Sequence, residues 1–510
     1  MATLKENKHS LDLYILANSG LFLALSLLGF YSFQDLSWFH LIANCTFLFL
    51  AIFIFFFAAS YKKILSFNLW FLLGAAVFFT IGPLLEFTKS IDRNILAITL
   101  AKVNLLNASA VFTVTLLNYF LSRKYLYSYC FNRNSFEEKK TLNQFIFVQF
   151  LVFLYIVLKL TFFVPSTSLI INGLFNKLSF LSYSFAFLYG LSKNTVPRKI
   201  NKYSAIIFGL LTFLSLLSLS KLSLVSLVLG YFLGRVFYNN SIKHVSYLLI
   251  IPLISLFLFG PLCTAGRLNK YYMEDNSIME RIKIISFSSV KLLHVTFFKN
   301  SEDKYSDLFS HSMVNSPIRK LDDPDDPSFN IDPGALYAIS NKFKFLGSLN
   351  RFNLVPIQIY LIDQYNLANV GRSLESLKFV LIPRIFWPDK PILSNDGVKL
   401  FYDFYPGVWA GTSSLAPSFN AEAYWNYGIS GVLFISVYLA LIIWLIGYLF
   451  KSFKSDFLAL MFIFPFILNI FNVESWIVIS YVGGIITLIV LYLFFYLFFQ
   501  FLSKIKYASQ

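Results

Sequence analysis

Long apolar runs set the strongest limit on how this chain can fold. About a dozen segments follow one another along the sequence, each close to the roughly 17 to 25 residues that a hydrocarbon layer about 30 Å thick requires. Because the hydrocarbon offers no water to bond exposed backbone groups, such segments must be helical. The sequence therefore predicts an all-α polytopic membrane protein with about 12 transmembrane helices.

The predicted spans form two groups, which one large polar region separates. The first nine are Leu11–Tyr31, Phe39–Ser60, Phe67–Phe87, Ile95–Leu121, Leu142–Pro165, Leu169–Leu191, Tyr203–Ser220, Leu222–Phe237 and Val245–Cys263. The last three are Tyr424–Phe450, Phe457–Phe471 and Trp476–Leu502. The chain thus divides into membrane helices 1 to 9 at residues 1–263, a large loop at 264–423 and membrane helices 10 to 12 at 424–510.

Composition and charge placement support a membrane location and suggest an orientation. Hydrophobic residues make up 57% of the chain, and the mean hydropathy is +0.66. A net charge of +16 would suggest nucleic acid for a soluble protein, but here the cations cluster on alternate connecting segments, as the positive-inside rule requires. This pattern predicts cytoplasmic termini, an outer position for 264–423 and no nucleic-acid partner.

The N-terminus leaves one alternative open. Lys5 and Lys8 precede the first apolar run, as they would in a signal peptide. The run is long, however, and no small-residue cleavage pattern follows it, which favours a retained first helix. The three cysteines, Cys45, Cys130 and Cys263, are too far apart in sequence to indicate a disulfide framework or a metal site.

Within the outer loop, three segments show helical spacing of apolar residues. They are 339–351, 278–298 and 374–385, and the last must bend or end at Pro383. Such amphipathic helices are expected at the membrane surface. The acidic run Asp322–Asp326 lacks the spacing and the glycine of a calcium loop, which favours a solvated loop over a cation site.

Five cations of the outer loop are candidates for binding an anionic substrate. Arg384 and Lys390 stand beside Pro383 and Pro391, which stiffen the backbone that presents them. Arginine offers a planar fork for two phosphate oxygens, and lysine supplies a point charge. Membrane proteins also use such cations as interfacial anchors beside aromatic residues. The other three candidates are Arg267, Arg351 and Arg372. For each one alone a surface or lipid-headgroup contact is favoured over a ligand, and the group as a whole is what supports a pyrophosphate site.

Glu422 is the candidate acid, at the start of the tenth predicted span. It could accept a proton from a sugar hydroxyl, pair with an arginine, or simply be an acid favoured by the helix dipole. No nucleotide-binding loop, nucleophile elbow or zinc-binding histidine pair occurs in the sequence. We therefore expect no metal and no cofactor.

The outer loop and the tenth span carry motifs that resemble a known family. These motifs are Arg351-Phe352 with Pro356, Gly371-Arg372-Ser373-Leu374, Ile382-Pro383-Arg384 through Lys390-Pro391, Thr412-Ser413, and Glu422-Ala423-Tyr424 leading to Tyr427-Gly428 and Gly431. In these the chain resembles the O-antigen and exopolysaccharide polymerases of the Wzy type, the oligosaccharide repeat-unit polymerases. Outside them the resemblance is one of layout: many helices and one large outer loop late in the chain.

The resemblance implies an activity, partners and a location. Such enzymes are metal-independent glycosyltransferases of the bacterial inner membrane, which transfer a growing glycan from undecaprenyl pyrophosphate onto an incoming lipid-linked repeat unit at the periplasmic face. The expected partners are the undecaprenyl-pyrophosphate-linked oligosaccharide, the lipid bilayer, and flippase and chain-length regulator proteins. Arg351, Arg372, Arg384, Lys390 and Arg267 would grip the pyrophosphate, and Glu422 would receive the acceptor proton.

Two alternatives remain from the sequence. The related O-antigen ligases usually carry a histidine shortly before the Tyr-Gly motif, and residues Ala416 to Phe419 contain none, which favours a polymerase. A non-enzymatic flippase or transporter of lipid-linked oligosaccharides would place charges along a central path. Lys102, Lys159 and Lys177, which lie within the spans, form no such pattern.

Overall fold

The structure is a computed structural model, and it describes the membrane helices and part of the outer loop. The described residues are 2–31, 37–60, 66–89, 93–122, 139–161, 178–218, 220–239, 244–248, 250–255, 352–380, 395–404, 415–452 and 456–508, with a few single positions between 259 and 286 and at 382.

The described chain is helical almost throughout. In order, the α-helices are α1 (Ala2–Tyr31), α2 (Ser37–Ser60), α3 (Phe67–Lys89), α4 (Arg93–Ser122), α5 (Lys139–Thr161), α6 (Phe180–Ser192), α7 (Arg198–Leu217), α8 (Lys221–Asn239), α9 (Val355–Asn366), α10 (Leu377–Val380), α11 (Asn395–Phe404), α12 (Phe419–Ser452), α13 (Asp456–Phe471) and α14 (Ile485–Ala508). A 3-10 helix at Ser373–Ser376 precedes α10, and a π-helix at Ile477–Gly484 precedes α14. No strand occurs among these residues; Ser418 and Glu474 form one isolated antiparallel bridge.

Eight of these helices contain a segment long and apolar enough to cross a membrane. The segments are Ser10–Tyr31, Trp38–Ser60, Phe67–Phe87, Ile95–Leu121, Thr141–Leu160, Arg198–Leu217, Phe419–Phe450 and Ile477–Phe501. Each coincides with a predicted span, and the shorter apolar helices Phe180–Ser192, Leu222–Tyr238, His244–Ser255 and Phe457–Phe471 overlap the other four. The prediction of an all-α polytopic membrane protein is therefore confirmed.

The elements next to the site differ in detail from the sequence predictions. α12 begins at Phe419, before the predicted Tyr424, and so Glu422 lies in its first turn. The helix predicted at 374–385 starts as the 3-10 turn and continues as α10 as far as Val380. The helix predicted at 339–351 and the Asp322–Asp326 loop lie outside the described residues, and so does nearly all of 278–298.

An amphipathic helix occurs in the outer loop at a place where no helix was predicted. In α11, Leu400 is buried while Lys399 is exposed, and the Phe404 ring packs edge-on against Tyr360 of α9, with the ring centroids 5.4 Å apart. Burial raises the pKa of the Tyr360 hydroxyl, and the nearby charge of Asp403 adds to the rise. α11 thus covers part of α9.

The ends of several helices meet the described outer loop on one side of the bundle. The Asn353 side chain donates a hydrogen bond to Glu86 near the end of α3, and Val355 packs against Leu96 and Leu100 in the first half of α4. The Phe419 ring, at the start of α12, lies about equally far from the aromatic rings of α3 and of the π-helix. The described part of the loop therefore contacts α3 near its end, through Asn353, while the start of α12 lies beside the middle of α3.

Candidate functional site

The candidate site lies where the segment between α9 and α10 crosses the first turns of α12. Glu422 is fully buried there, and both of its carboxyl oxygens accept hydrogen bonds. The Ser373 hydroxyl donates to Oε1 over 2.7 Å, and the Ile477 backbone N–H donates to Oε2 over 2.6 Å. One side chain thereby joins the 3-10 helix, α12 and the π-helix.

Local structure explains why these two donors are available. Ile477 is the first residue of the π-helix, where a backbone N–H has no partner inside the helix. Ser373 opens the 3-10 helix, and its hydroxyl also accepts a hydrogen bond from Asn426 Nδ2 over 3.0 Å. π-Helical turns are rare and concentrate at functional sites, so their presence beside a buried acid supports the choice of site.

Asn426 lies one turn beyond Glu422 on the same face of α12. Its Oδ1 accepts from the Leu374 backbone N–H over 3.3 Å, and its Nδ2 also donates to the Glu422 carbonyl over 2.8 Å. The side chain is buried, so both of its polar atoms are used within the protein. Glu422 and Asn426 together hold Ser373 and Leu374 from one helix.

A second contact fixes the chain just before Ser373. The Gly371 backbone N–H donates to the Trp425 carbonyl over 3.0 Å, and Trp425 Nε1 donates to the Asn369 carbonyl over 3.0 Å. Only glycine fits at 371, because a Cβ there would lie 2.4 Å from the Trp425 ring. The backbone on both sides of Arg372 is therefore tied to α12.

Arg372 is the solvent-facing member of this arrangement. Gly371 and Ser373 are buried, whereas Arg372 between them is exposed. A guanidinium carried by a fixed backbone loses less freedom when it binds a phosphate than one on an unattached loop. The geometry therefore suits Arg372 to anion binding at this end of the bundle.

The Tyr427-Gly428 pair interrupts α12 two turns after it begins. Tyr427 has φ −142° and ψ 18°, and Gly428 has φ 60° and ψ −149°, a conformation essentially restricted to glycine. A Cβ on Gly428 would lie 2.7 Å from the Tyr365 hydroxyl of α9. The break thus lets the end of α9 approach α12 beside the Arg372 segment.

Behind the site, three buried amides join α4, α9 and α12. Gln358 Nε2 donates to Asn107 Oδ1 over 2.9 Å and to Ser418 Oγ over 2.8 Å, and Asn420 Nδ2 donates to Asn107 Oδ1 over 2.6 Å. All four side chains are buried. We call Asn107, Gln358, Ser418 and Asn420 the amide cluster; it positions the start of α12 against the membrane helices.

Two of the predicted site residues, Arg372 and Glu422, lie among the described residues. Ser373, which follows the exposed Arg372 in the chain, donates a hydrogen bond to the buried Glu422. The other predicted residues, Arg267, Arg351, Arg384 and Lys390, lie outside the described residues. Within the part that the structure describes, no group of three or more His, Cys, Asp or Glu side chains could hold a metal ion.

Sequence reasoning missed the polar residues that build the site. Ser373 appeared only inside a motif of the resemblance and was given no role, and Asn426 and the amide cluster were given none. For Asn107 and Asn426 a signal was present, because polar side chains in apolar spans are costly and often functional. The predicted spans also left Lys102 of α4 without a partner, and the structure places it 3.7 Å from Asp363 of α9. Both side chains of that pair are about half exposed, so the pair contributes little to stability.

Comparison of the chain with protein-family models, with curated proteins and with solved structures gives no match.

Proposed function

We propose that this protein is a membrane glycosyltransferase that polymerises undecaprenyl-pyrophosphate-linked repeat units into O-antigen or exopolysaccharide. The proposal includes about 12 spans, cytoplasmic termini and a periplasmic outer loop in the bacterial inner membrane. Its partners are the lipid-linked oligosaccharide, flippase and chain-length regulator proteins, and the bilayer.

The observation that carries the proposal is the exposed Arg372 on a backbone fixed to α12 from both sides. In the proposed reaction, an acceptor hydroxyl forms a bond to the anomeric carbon of the donor sugar and gives up its proton to a base, for which Glu422 is the predicted residue. The bond from that carbon to the pyrophosphate breaks, and the pyrophosphate leaves with the electron pair. Positive charge held ready at the leaving oxygens stabilises this step, and Arg372 supplies it together with Arg384, Lys390, Arg351 and Arg267.

Glu422 has a positioning role in this proposal. Its carboxyl group is fully buried behind Ser373, and both oxygens are occupied by protein donors. It therefore orients the Arg372 segment rather than contacting the leaving group. The expectation that Glu422 receives the acceptor proton stays a prediction.

The experiment compares two exposed cations of the same segment. Arg372→Ala should reduce glycan polymer formation on the order of a hundredfold, the typical effect of removing one group that stabilises developing charge. Lys378→Ala is the matched control, because Lys378 is exposed six residues further on and contacts the Phe379 ring. We expect that control to make polymer of normal length.

If the Arg372→Ala protein, at equal abundance, makes polymer of normal length, Arg372 does not stabilise the leaving pyrophosphate and the proposal is contradicted. The glycan products also separate the rivals. Loss of a polymerase leaves single repeat units on the final acceptor, whereas loss of a ligase leaves no attached glycan. A transporter would move the lipid-linked unit between leaflets without lengthening it.

A further inference from the structure

The turn that joins α9 to the Arg372 segment exposes apolar side chains. Residues 366 to 370 are exposed in succession, and Leu367 and Val370 have exposed fractions of 75% and 47%. The rest of this part of the chain is well packed, since Leu361, Ile362 and Leu374 are buried. The exposure therefore belongs to the turn alone.

Three backbone N–H groups of this turn are bonded within the protein. The Leu367 N–H donates to the Asp363 carbonyl, the Ala368 N–H to that of Tyr365 and the Asn369 N–H to that of Gln364, all within 2.9 to 3.0 Å. Ala368 has φ 62°, which closes the helix in a Schellman arrangement. The Asn369 side chain donates to Gln364 Oε1, and its carbonyl accepts from Trp425 Nε1.

Internal pairing of this kind is the condition for placing backbone in lipid. An unpaired N–H or C=O costs several kcal/mol in hydrocarbon, so a non-helical segment enters it only when these groups are bonded within the protein. The Leu367 turn combines three bonded N–H groups with the exposed apolar side chains of Leu367 and Val370.

The turn also continues the lipid-facing surface of α12. Tyr427 and Ile429 are exposed beside it, and Leu433 and Phe434 extend the same exposed surface along the span. Trp425 connects the two, since it bonds to Asn369 and Gly371. An apolar surface that continues a transmembrane face is covered by the same material, which is lipid.

The position of α9 along α4 also places the turn close to the apolar part of the bundle. α9 contacts α4 at Asn107 through Gln358, about 18 Å along the helix from Ile95 at 1.5 Å per residue. Lys102, which pairs with Asp363, is about 10 Å along from Ile95 by the same measure. α9 therefore lies beside the apolar part of α4 and not beyond its end.

We propose that the turn at residues 366 to 370 inserts into the bilayer and that lipid acyl chains cover Leu367 and Val370. Arg372, two residues after Val370, then lies at the level of the lipid headgroups. This insertion would fix the depth at which the Arg372 segment meets a phosphate-bearing lipid. The inference does not depend on the sugar chemistry, and its test has no activity readout.

The test measures what surrounds the turn in a membrane. Cys45, Cys130 and Cys263 are first replaced, and a single cysteine is then placed by Leu367→Cys, by Val370→Cys or, as the control, by Glu375→Cys. Glu375 is exposed on the polar 3-10 helix close to the turn. Each variant is labelled with the environment-sensitive fluorophore NBD and reconstituted in phosphatidylcholine nanodiscs, with size-exclusion chromatography to confirm folding.

We expect the labels at 367 and 370 to emit at shorter wavelength than the label at 375. Lipids carrying a doxyl group on the acyl chain should quench them, whereas aqueous iodide should quench only the label at 375. Equal iodide quenching at 367 and 375 would show that the turn faces water. Protection of 367 and 370 from both quenchers would show that protein covers the turn, and either result overturns the proposal. If the labelled variant at 367 or at 370 fails to fold, the quenching of the other one tests the proposal.

Discussion

At the scale of single residues, the Ser373 hydroxyl has the most specific role in the structure. It donates to Glu422 and accepts from Asn426, and so it joins the Arg372 segment to two successive turns of α12. A serine in a polar loop carries no sequence signal for this role, because its partners are 49 and 53 residues away. Glu422 was recognisable from the sequence as a candidate, whereas the Ser373 hydroxyl that donates to it was not.

The Glu422 contacts predict a stability effect separate from activity. Glu422→Gln removes the negative charge that the Ser373 hydroxyl and the Ile477 N–H face. Its NH2 group can still donate to the Ser373 oxygen, so two charge-assisted hydrogen bonds become neutral ones, a loss of about 1.5 to 3 kcal/mol in all. We expect the free energy of unfolding to fall by about that amount. Glu375→Gln, an exposed acid nearby, should change it by less than about 0.5 kcal/mol.

Denaturant unfolding of the purified protein in detergent measures both Glu422→Gln and Glu375→Gln. A Glu422→Gln protein as stable as the wild type would contradict the role of Glu422 in joining three elements. This readout also separates a positioning role from a purely chemical one.

Replacing Gly428, at the break in α12, should lower stability, whereas replacing a glycine in a regular helix should raise it. Gly428→Ala forces a side chain into a backbone conformation that costs on the order of 1 to 3 kcal/mol, and its Cβ meets the Tyr365 hydroxyl. Gly209→Ala is the matched control, because a Cβ there meets nothing within 4 Å in the interior of α7. Alanine at that helical position should raise the free energy of unfolding by up to about 1 kcal/mol.

Melting temperatures of the two glycine variants should therefore move in opposite directions. If Gly428→Ala melts at or above the wild-type temperature, the break in α12 is not required for packing against α9. The Tyr427-Gly428 pair was one of the motifs on which the family resemblance rests. The φ and ψ angles of Gly428 explain why this position requires glycine.

At the scale of elements, α9 differs most from what a polar loop would suggest. It carries an apolar face into the bundle, and Gln358 reaches the amide cluster between α4 and α12. The periodic runs predicted the membrane helices well, because burial in lipid requires long apolar segments. They did not predict α9, which is short and whose polar contact lies 251 residues away.

The amide cluster predicts a coupled effect of two substitutions. Gln358→Leu leaves Asn107 Nδ2 and Ser418 Oγ without their Gln358 partner, at about 1 to 3 kcal/mol for each unsatisfied group, while Asn420 still donates to Asn107 Oδ1. Adding Asn107→Leu removes one of those orphaned groups. The double variant should therefore lose less stability than the sum of the two single variants.

Thermal unfolding in detergent of the Gln358→Leu variant, the Asn107→Leu variant and the double variant gives the coupling energy between the two side chains. Gln500→Leu, at an exposed position of α14, is the control and should have little effect. Strictly additive losses would show that the cluster does not act as a unit.

At the scale of the whole molecule, the end of α3, the first half of α4 and the start of α12 gather around the outer loop. Hydropathy and the placement of cations predict the membrane class and a sidedness. The resemblance had named Arg372 and Glu422. The hydrogen bond from Ser373 that connects the Arg372 segment to Glu422 could not be predicted, because it depends on how the loop folds back onto α12.

The most direct test of the central claim is glycan synthesis by the purified protein alone. The protein is reconstituted in liposomes with an undecaprenyl-pyrophosphate-linked repeat unit, without nucleotide, and the products are separated by size. We predict a ladder of lipid-linked glycans that increase by one repeat unit at each step and that Arg372→Ala strongly reduces. Recovery of the unchanged repeat unit, or its movement between leaflets without growth, would contradict the proposed polymerase.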